Sequence, residues 1–208
     1  MVTNDERTDI MMDDLNQNDR ILLAALHEFG TKGYILSSTN TIATNAKVSK
    51  GLIFKKFKSK AELFYAVYEM ELEKFMDAYR HFQKVVSTDV FEQIIDIIIW
   101  KGQYTNEHPE AANVLLEGIA NPPTAIKNQL LSSLVVLREL SITSLFSLIN
   151  RDHLRDDITQ ETFERTLNLA IAGLQATYVN KNVNYEMLNS IKNESIEFLK
   201  IIIRGMEK

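Results

Sequence analysis

Glycine and proline are rare in this chain, and their scarcity constrains the fold more than any other feature. Only 7 glycines and 3 prolines occur among 208 residues, and these are the residues that most often interrupt regular structure. Between them, apolar residues recur at intervals of three and four, as on one face of an amphipathic helix. No segment alternates as a strand would. The sequence therefore predicts an all-α protein of about nine helices.

Positive charge is concentrated in one early segment. The whole chain carries a formal net charge of −5, but residues 20–60 hold eight basic side chains and a single acidic one, Glu28. Six acidic residues precede Arg20, against Arg7 alone. A basic segment of this density is typical of a surface that binds nucleic acid. An ordinary solvated face is the simpler alternative.

Several classes of function find no support in the sequence. The absence of cysteine rules out disulfides, thiolate metal sites and cysteine nucleophiles. No set of His, Asp and Glu has metal-ligand spacing, and no phosphate-binding loop or nucleophilic serine motif occurs. We therefore expect no catalytic residues, no metal and no cofactor. The acidic start lacks the features of a signal peptide, and no apolar run is long enough to cross a membrane, so we expect a cytoplasmic protein.

Residues 20–60 have the spacing of a helix-turn-helix. Two short helices, the first opened by the hydroxyls of Ser37-Ser38-Thr39 and the second by Ser49, are separated by a tight turn at Lys47-Val48. The second ends near Phe57, and lysines surround it. Such lysines would neutralise phosphates while the helix lies in the major groove.

The flanking helices carry their own capping signals. Asn18 or Asp19 is expected to cap the first helix. Ser59 and Glu62 match a capping box, in which each side chain satisfies a backbone donor of the other. The long helix that starts there is expected to reach about Val86.

A set of residues at fixed spacing runs through this segment. Its members are Phe29, Gly33-Tyr34, Ser37-Ser38, Ile42-Ala43, Ala46, Val48-Ser49-Lys50-Gly51, Phe54, Phe57, Ser59-Lys60 and Glu62-Leu63-Phe64. In this set the chain resembles the TetR family of bacterial helix-turn-helix transcriptional regulators, over about Leu15 to Phe75. The family usually has glycine at Lys47, tyrosine at Phe54 and histidine at Lys56. Together with the lysine charges, the resemblance implies a DNA-binding set of Ser38, Thr39, Lys47, Ser49, Lys50, Gly51, Leu52, Phe54, Lys55, Lys56 and Lys60.

The resemblance also implies a division of the chain. Residues 1–14 would be a flexible acidic tail, residues 15–75 the DNA-binding domain with its motif at 38–57, and residues 76–208 a ligand-binding and dimerisation domain. Aromatic and polar residues of the last region are candidates to line a ligand cavity, although the aromatic ones could simply be core. The candidates are Trp100, Tyr104, Asn113, Glu117, Phe146, Gln175 and Tyr178.

Dimerisation and function follow from the same resemblance. Small residues between Ala170 and Ala176 allow close helix approach, and we expect a homodimer through the last two helices. Two reading helices about 34 Å apart would recognise a palindromic operator in double-stranded DNA. The expected function is a repressor that a small-molecule ligand releases from its operator. The alternatives are a helical protein-interaction module without sequence-specific DNA binding and a small helical enzyme.

Overall fold

The structure, a computed structural model, describes residues 15–83, 89–139, 145–146, 149, 151–178 and 185–208. Within these ranges it has nine α-helices of seven residues or more, and the all-α prediction is confirmed. An isolated bridge between Leu154 and Glu207 is the sole strand-like pairing in the same ranges. The helices are α1 (Gln17–Leu36), α2 (Thr39–Asn45), α3 (Lys50–Phe57), α4 (Lys60–Gln83), α5 (Val90–Glu107), α6 (Pro109–Ala120), α7 (Lys127–Glu139), α8 (Gln160–Tyr178) and α9 (Tyr185–Arg204), with a short 3-10 helix at Thr124–Ile126.

The chain divides into two compact units. Unit 1 consists of Met1–Tyr79 and Thr105–Leu134, and unit 2 of Arg80–Tyr104 and Val135–Lys208. Unit 1 thus holds the basic segment together with α6 and the start of α7. The acidic tail predicted at 1–14 lies outside the described residues.

The first helix starts earlier than its sequence signals predict. The side-chain oxygen of Asn16 accepts hydrogen bonds from the backbone N–H groups of Asn18 (2.9 Å) and Asp19 (3.1 Å). The prediction that Asn18 or Asp19 caps α1 was therefore wrong, because both lie inside the helix as donors to an earlier cap. Near its other end α1 bends at Gly33, whose φ of 72° lies in the left-handed region that glycine adopts without strain.

Serines open the next three helices: Ser49 and Ser59 as the sequence predicts, and Ser38 out of the three hydroxyl residues Ser37-Ser38-Thr39. The hydroxyls of Ser38, Ser49 and Ser59 accept from backbone N–H groups two or three residues ahead, at 3.1 to 3.3 Å. Only half of the predicted capping box forms. The N–H of Ser59, which a full capping box would pair with the side chain of Glu62, donates instead to the carbonyl of Phe57 (2.6 Å).

Aromatic rings fill the core of unit 1. The ring of Phe64 on α4 packs edge-on against Phe29 on α1, with centroids 5.2 Å apart, and against Tyr34, with centroids 5.4 Å apart. Buried aliphatic residues from α2, α3 and α6 complete the same cluster, including Ile42, Ile53 and Val114. Edge-to-face rings add roughly 0.5–1.5 kcal/mol per pair to the burial of their area. This core fixes the positions of the short helices.

Unit 2 has a core of its own. Buried isoleucines line α5, and Phe163 of α8 and Leu199 of α9 are buried as well. The Nζ of Lys192 on α9 lies 2.7 Å from the Oδ1 of Asp96 on α5. The rings of Phe82 and Trp100 stack with centroids 5.2 Å apart. Unit 2 is therefore built from helices far apart in the sequence.

Candidate nucleic-acid interface

The turn between α2 and α3 is tight and strained. The N–H of Lys47 donates to the carbonyl of Thr44 (3.1 Å), and that of Val48 donates to the carbonyl of Ala43 (3.0 Å). Lys47 has φ 54°, the left-handed conformation expected from the glycine that it replaces. A residue with a Cβ pays roughly 1–2 kcal/mol for this conformation. The turn therefore keeps a lysine at a backbone position that favours glycine.

Exposed lysines surround the short helix α3. No acidic residue occurs between 47 and 61, and Ile53 is the residue that α3 buries fully. The rest of the helix therefore leaves its polar side chains directed to solvent. We call the exposed lysines the lysine face; they are Lys47, Lys50, Lys55, Lys56 and Lys58.

Lys58 is the member of the lysine face that the predicted set omits. It caps the C-terminus of α3 with φ 60°, and its N–H donates to the carbonyl of Phe54 (3.0 Å). The spacing of the sequence does single out this position, because Lys58 is the one residue between Phe57, where α3 ends, and Ser59, which caps α4. A junction this short requires a residue that reverses the backbone. Two lysines in left-handed conformations therefore bracket α3.

Gly51 and Phe54 are both exposed on α3. A Cβ at Gly51 would have no neighbour nearer than the Oγ of Ser49, at 4.0 Å. The ring of Phe54 is 36% exposed, and the Nζ of Lys50 lies 5.7 Å from its centroid. Glycine inside a helix costs roughly 0.8–1.0 kcal/mol relative to alanine. Since no contact among the described residues requires glycine here, the position suits close approach by another molecule.

The remaining predicted DNA-binding residues lie around the two helix starts. Thr39 and Leu52 are half-buried in the first turns of α2 and α3. The hydroxyls of Ser38 and Ser49 accept the capping hydrogen bonds, and each keeps its own proton to donate. Serine caps can therefore hold the helix and a phosphate oxygen together.

Lys60 points into unit 1, unlike the lysine face. Its Nζ donates to the carbonyl of Ser37 (2.6 Å) and to that of Ile35 (3.3 Å), and it lies 4.8 Å from the centroid of the Tyr34 ring. Burial lowers the pKa of Lys60, while the charges of Glu28 and Glu117 partly offset that effect. Backbone carbonyls therefore hold the ammonium group of Lys60, and its assignment to the DNA-binding set stays a prediction.

Glu28 explains why the single acid of the basic segment does not weaken its charge at the surface. The side chain is 2% exposed, and its carboxylate accepts from the N–H of Ser38 (2.9 Å) and from the Nζ of Lys32 (2.9 Å). Burial by itself raises the pKa of Glu28, but these hydrogen bonds outweigh it and hold the pKa below its ordinary value. The carboxylate of Glu28 is therefore buried and paired inside unit 1, where its hydrogen bond to Ser38 positions the start of α2.

Helix α6 packs closely against α1 and α4, and we call this contact the α6 seam. The Nδ2 of Asn113 donates to the carbonyl of Gly30 (2.9 Å), and the Oε2 of Glu117 accepts from the N–H of Tyr34 (2.8 Å). A Cβ at Gly118 would lie 2.6 Å from the ring of Tyr68 on α4. Asn113 and Glu117 thus have partners on the backbone of α1, and their role as ligand anchors stays a prediction.

Of the other predicted ligand residues, three lie in unit 2 and two have side chains outside the described residues. Trp100, Tyr104 and Phe146 belong to unit 2, and the rings of Trp100 and Tyr104 have centroids 5.6 Å apart. The side chains of Gln175 and Tyr178 lie outside the described residues. An open groove of about 600 Å³ occurs in unit 2, but it does not include the predicted set; it is lined by Ile149, Arg151, Asp152, Leu154, Arg155, Asp156, Ile158, Thr159, Gln160 and Phe163.

Among the described residues, no group of three or more His, Cys, Asp or Glu is placed to hold a metal ion. No helix there combines the length and the apolar character needed to cross a membrane.

Two short capped helices joined by a tight turn, with an outward lysine face, form a helix-turn-helix. Residues 21–67 match the model of bacterial regulatory proteins of the tetR family, the family that the sequence of this segment resembles.

Solved structures with the same fold cover most of the chain. One is a TetR-like transcriptional regulator from Rhodococcus sp. RHA1, with 18% identity and a TM-score of 0.62 over 88% of this chain and 96% of that one. A second is a putative tetR family regulator from Shewanella sp. PV-4, with 17% identity and a TM-score of 0.63 over 93% and 100%. A third is the fatty acid degradation regulator FadR from Bacillus halodurans, with 17% identity and a TM-score of 0.60 over 88% and 97%. At these identities the likeness concerns the fold.

Proposed function

We propose that this regulator is a cytoplasmic repressor that binds a palindromic operator as a homodimer and leaves it when a small molecule binds. The lysine face is the observation that carries DNA binding. Its five exposed lysines are concentrated on and beside one short helix that buries Ile53 alone. A helix held in this way enters the major groove, while lysines at its ends contact phosphates on either side.

The electrostatics of the lysine face predict a steep dependence on salt. Each neutralised phosphate contributes roughly −0.9 to the slope of log affinity against log salt. Lys56 is fully charged where the family usually has histidine, and Lys47 adds a charge where the family usually has glycine. Phe54 lacks the phenolic hydroxyl of the usual tyrosine, so it contributes apolar contact. Affinity should therefore depend more on charge, and less on neutral hydrogen bonds, than the family pattern suggests.

A salt titration with a double variant tests this proposal. The variant Lys50→Ala with Lys56→Ala should reduce the salt slope by about 1.8 per subunit and weaken binding to any duplex. Both side chains are exposed, so folding should not change. The measurement is fluorescence anisotropy of a labelled duplex from low to high salt.

A matched control removes two lysines elsewhere, by Lys127→Ala with Lys200→Ala. This pair should leave the slope unchanged. If both double variants behave like the parent, or if operator and random duplex compete equally at every salt concentration, the chain would instead be a helical interaction module without sequence-specific DNA binding.

An exposed apolar surface on α8 and α9 supports the homodimer. Leu169 is 66% exposed, and it shares one face of α8 with Ala172, Gly173 and Ala176, which are exposed as well. A Cβ at Gly173 would meet no atom within 4 Å. On α9, Phe198 and Ile201 are exposed. Small residues beside large apolar ones allow a second copy to approach closely.

One charged residue on this surface should separate the subunits. Leu169→Asp is expected to give a monomer in size-exclusion chromatography with light scattering, and to lower operator affinity by about a hundredfold because one reading helix is lost from each complex. Leu116→Asp places the same charge at an equally exposed leucine on α6, and it should remain dimeric. A dimeric Leu169→Asp protein would contradict the assigned interface.

The ligand would bind in unit 2, where the aromatic stack of Phe82, Trp100 and Tyr104 offers an apolar wall. A ligand can release DNA only if it binds one state of the protein more tightly than the other. Trp100 is the single tryptophan of the chain, so energy transfer from it to 1-anilinonaphthalene-8-sulfonate reports binding near that wall. Absence of transfer under conditions where the protein is folded would contradict this location.

A further inference from the structure

The N-terminal tail and the lysine face carry opposite charge in almost equal amounts. Residues 1–14 contain five acidic side chains and one basic one, Arg7. The lysine face contains five exposed lysines with no acidic residue between 47 and 61. Opposite charges of this density on one chain attract each other strongly at low salt, and the attraction weakens as salt screens it.

An apolar feature beside the lysine face adds a second match. Ile35 is 84% exposed and Leu36 is 77% exposed, at the junction of α1 and α2. The hydrogen bond from Lys60 to the carbonyl of Ile35 (3.3 Å) places this pair close to the junction that follows α3. The tail carries its own apolar run, Ile10-Met11-Met12, with Asp9 before it and Asp13 after it. The tail thus has an apolar segment between acidic residues, which complements a basic surface beside an exposed apolar pair.

The attachment of the tail places it within reach. It joins α1 through Leu15 and the capping Asn16, and α1 belongs to the same unit as the lysine face. Fourteen residues span up to about 50 Å when extended, whereas a compact body of the size of unit 1 has a radius of gyration of about 13 Å. A segment tethered on such a short connection has an effective concentration in the millimolar range. Even weak contacts are therefore populated.

We propose that residues 1–14 dock on the lysine face and on Ile35–Leu36, and that they compete there with the phosphates of DNA. Every duplex must displace the tail before it binds. The competition is strongest at low salt, where DNA also binds best, so the tail flattens the salt dependence of the regulator. The competition rests on the proposed function, because DNA is the competitor, but the docking itself does not.

Docking is measured without DNA. The chain has no cysteine, so Thr3→Cys supplies a single attachment site for a nitroxide label. At 25 mM salt, the label is expected to broaden backbone amide resonances of residues 47–58 and 35–36 by paramagnetic relaxation, and 1 M salt should remove the broadening. The control is the same labelled chain with a neutral tail, carrying Asp5→Asn, Glu6→Gln, Asp9→Asn, Asp13→Asn and Asp14→Asn. A labelled parent that broadens these amides no more than the neutral tail does would overturn the proposal.

Competition is measured with a random duplex. The neutral tail should raise affinity threefold to tenfold at low salt and make the salt slope steeper, with the difference vanishing near 1 M salt. A second variant, Ile10→Ser with Met11→Ser and Met12→Ser, keeps the charge and should recover part of this gain. Broadening without any DNA binding would contradict the proposed function and leave docking supported. Tight DNA binding with equal affinity for parent and neutral tail would overturn the competition.

Discussion

The α6 seam and the lysine face lie in the same unit, yet they use glycine for different reasons. A Cβ at Gly30 would lie 2.6 Å from the Cβ of Glu110, and one at Gly118 would lie 2.6 Å from the ring of Tyr68. A Cβ at Gly51 would meet nothing nearer than 4.0 Å. The packing of the seam explains its own glycines, whereas no contact among the described residues explains Gly51. Because Gly51 lies on the same helix as the lysine face, we assign it to the function of that face.

Backbone strain shows the same contrast. Beside the α6 seam the left-handed residue is Gly33, which adopts φ 72° without cost. Around α3 the left-handed residues are Lys47 and Lys58, at roughly 1–2 kcal/mol each. Stability favours glycine at both positions, and a positive charge is present instead. Four substitutions test how far this contrast holds, and they follow in order of their expected effect on folding.

Gly118→Ala should be the most destabilising of the four. The added methyl group overlaps the ring of Tyr68, and overpacking of this kind costs about 1–3 kcal/mol. We expect a loss near 3 kcal/mol in the free energy of unfolding by urea. Gly102→Ala is the control, because a Cβ there meets no atom within 4 Å, and it should gain up to about 1 kcal/mol. Equal midpoints for the two variants would show that the seam is not tightly packed.

The sequence predicted the elements of this contrast better than their connections. Helical spacing and serine caps were sufficient to place α2, α3 and the start of α4, since these signals are local. The left-handed Lys47 followed from the glycine usual at that position. The start of α1 was misjudged because three residues, Asn16, Asn18 and Asp19, can each cap, and only the fold selects among them.

Contacts between distant segments were not predictable from the sequence. Asn113 and Glu117 appeared as ligand anchors because they are polar residues in an apolar helix. Their partners on α1 lie 83 residues away in the chain, and nothing local indicates that pairing. Lys60 followed the charge pattern of its neighbours, although burial and the carbonyls of Ser37 and Ile35 decide its direction.

Lys60→Met tests whether this lysine belongs with the interior or with the lysine face. Methionine keeps the apolar stem but leaves the carbonyls of Ser37 and Ile35 without the ammonium group. Hydrogen bonds from charged donors contribute about 1.5–3 kcal/mol, so we expect a loss of about 2 kcal/mol in urea unfolding. Lys58→Met, on the exposed face, should stay within about 0.5 kcal/mol of the parent. The reverse ranking would move Lys60 to the DNA surface.

Tyr68→Phe tests the burial of Tyr68 in the α6 seam through the pH dependence of the free energy of unfolding. Burial, aided by the charge of Glu69, raises the pKa of Tyr68 to about 12, and its hydroxyl has no hydrogen-bond partner among the described residues. Removing the hydroxyl should add about 1 kcal/mol at pH 8. Above pH 10 the unfolded tyrosine loses its proton while the folded one keeps it, so stability falls between about pH 10 and 12.

The Tyr68→Phe protein should not show the fall in stability that the ionisation of Tyr68 causes above pH 10. Urea unfolding at pH 8 measures the gain in stability, and urea unfolding at pH 11 measures the missing fall. Tyr65→Phe is the control, since Tyr65 is half-buried and its hydroxyl donates to the Oε1 of Glu69 (2.7 Å). It should not gain stability at pH 8. A Tyr68→Phe protein less stable than the parent at pH 8 would mean that the hydroxyl is satisfied.

Gly51→Ala should have the smallest effect on folding and the opposite sign. Alanine is favoured over glycine inside a helix by roughly 0.8–1.0 kcal/mol, and no described atom obstructs its methyl group. We expect a gain of about 0.5–1 kcal/mol in urea unfolding, together with an approximately tenfold loss of operator affinity by anisotropy, because the methyl group occupies the space into which DNA must come. Gly102→Ala should show the gain without the loss, since it lies in unit 2. A Gly51→Ala protein that is more stable and binds DNA unchanged would remove the glycine from the interface and leave its lysines to carry binding alone.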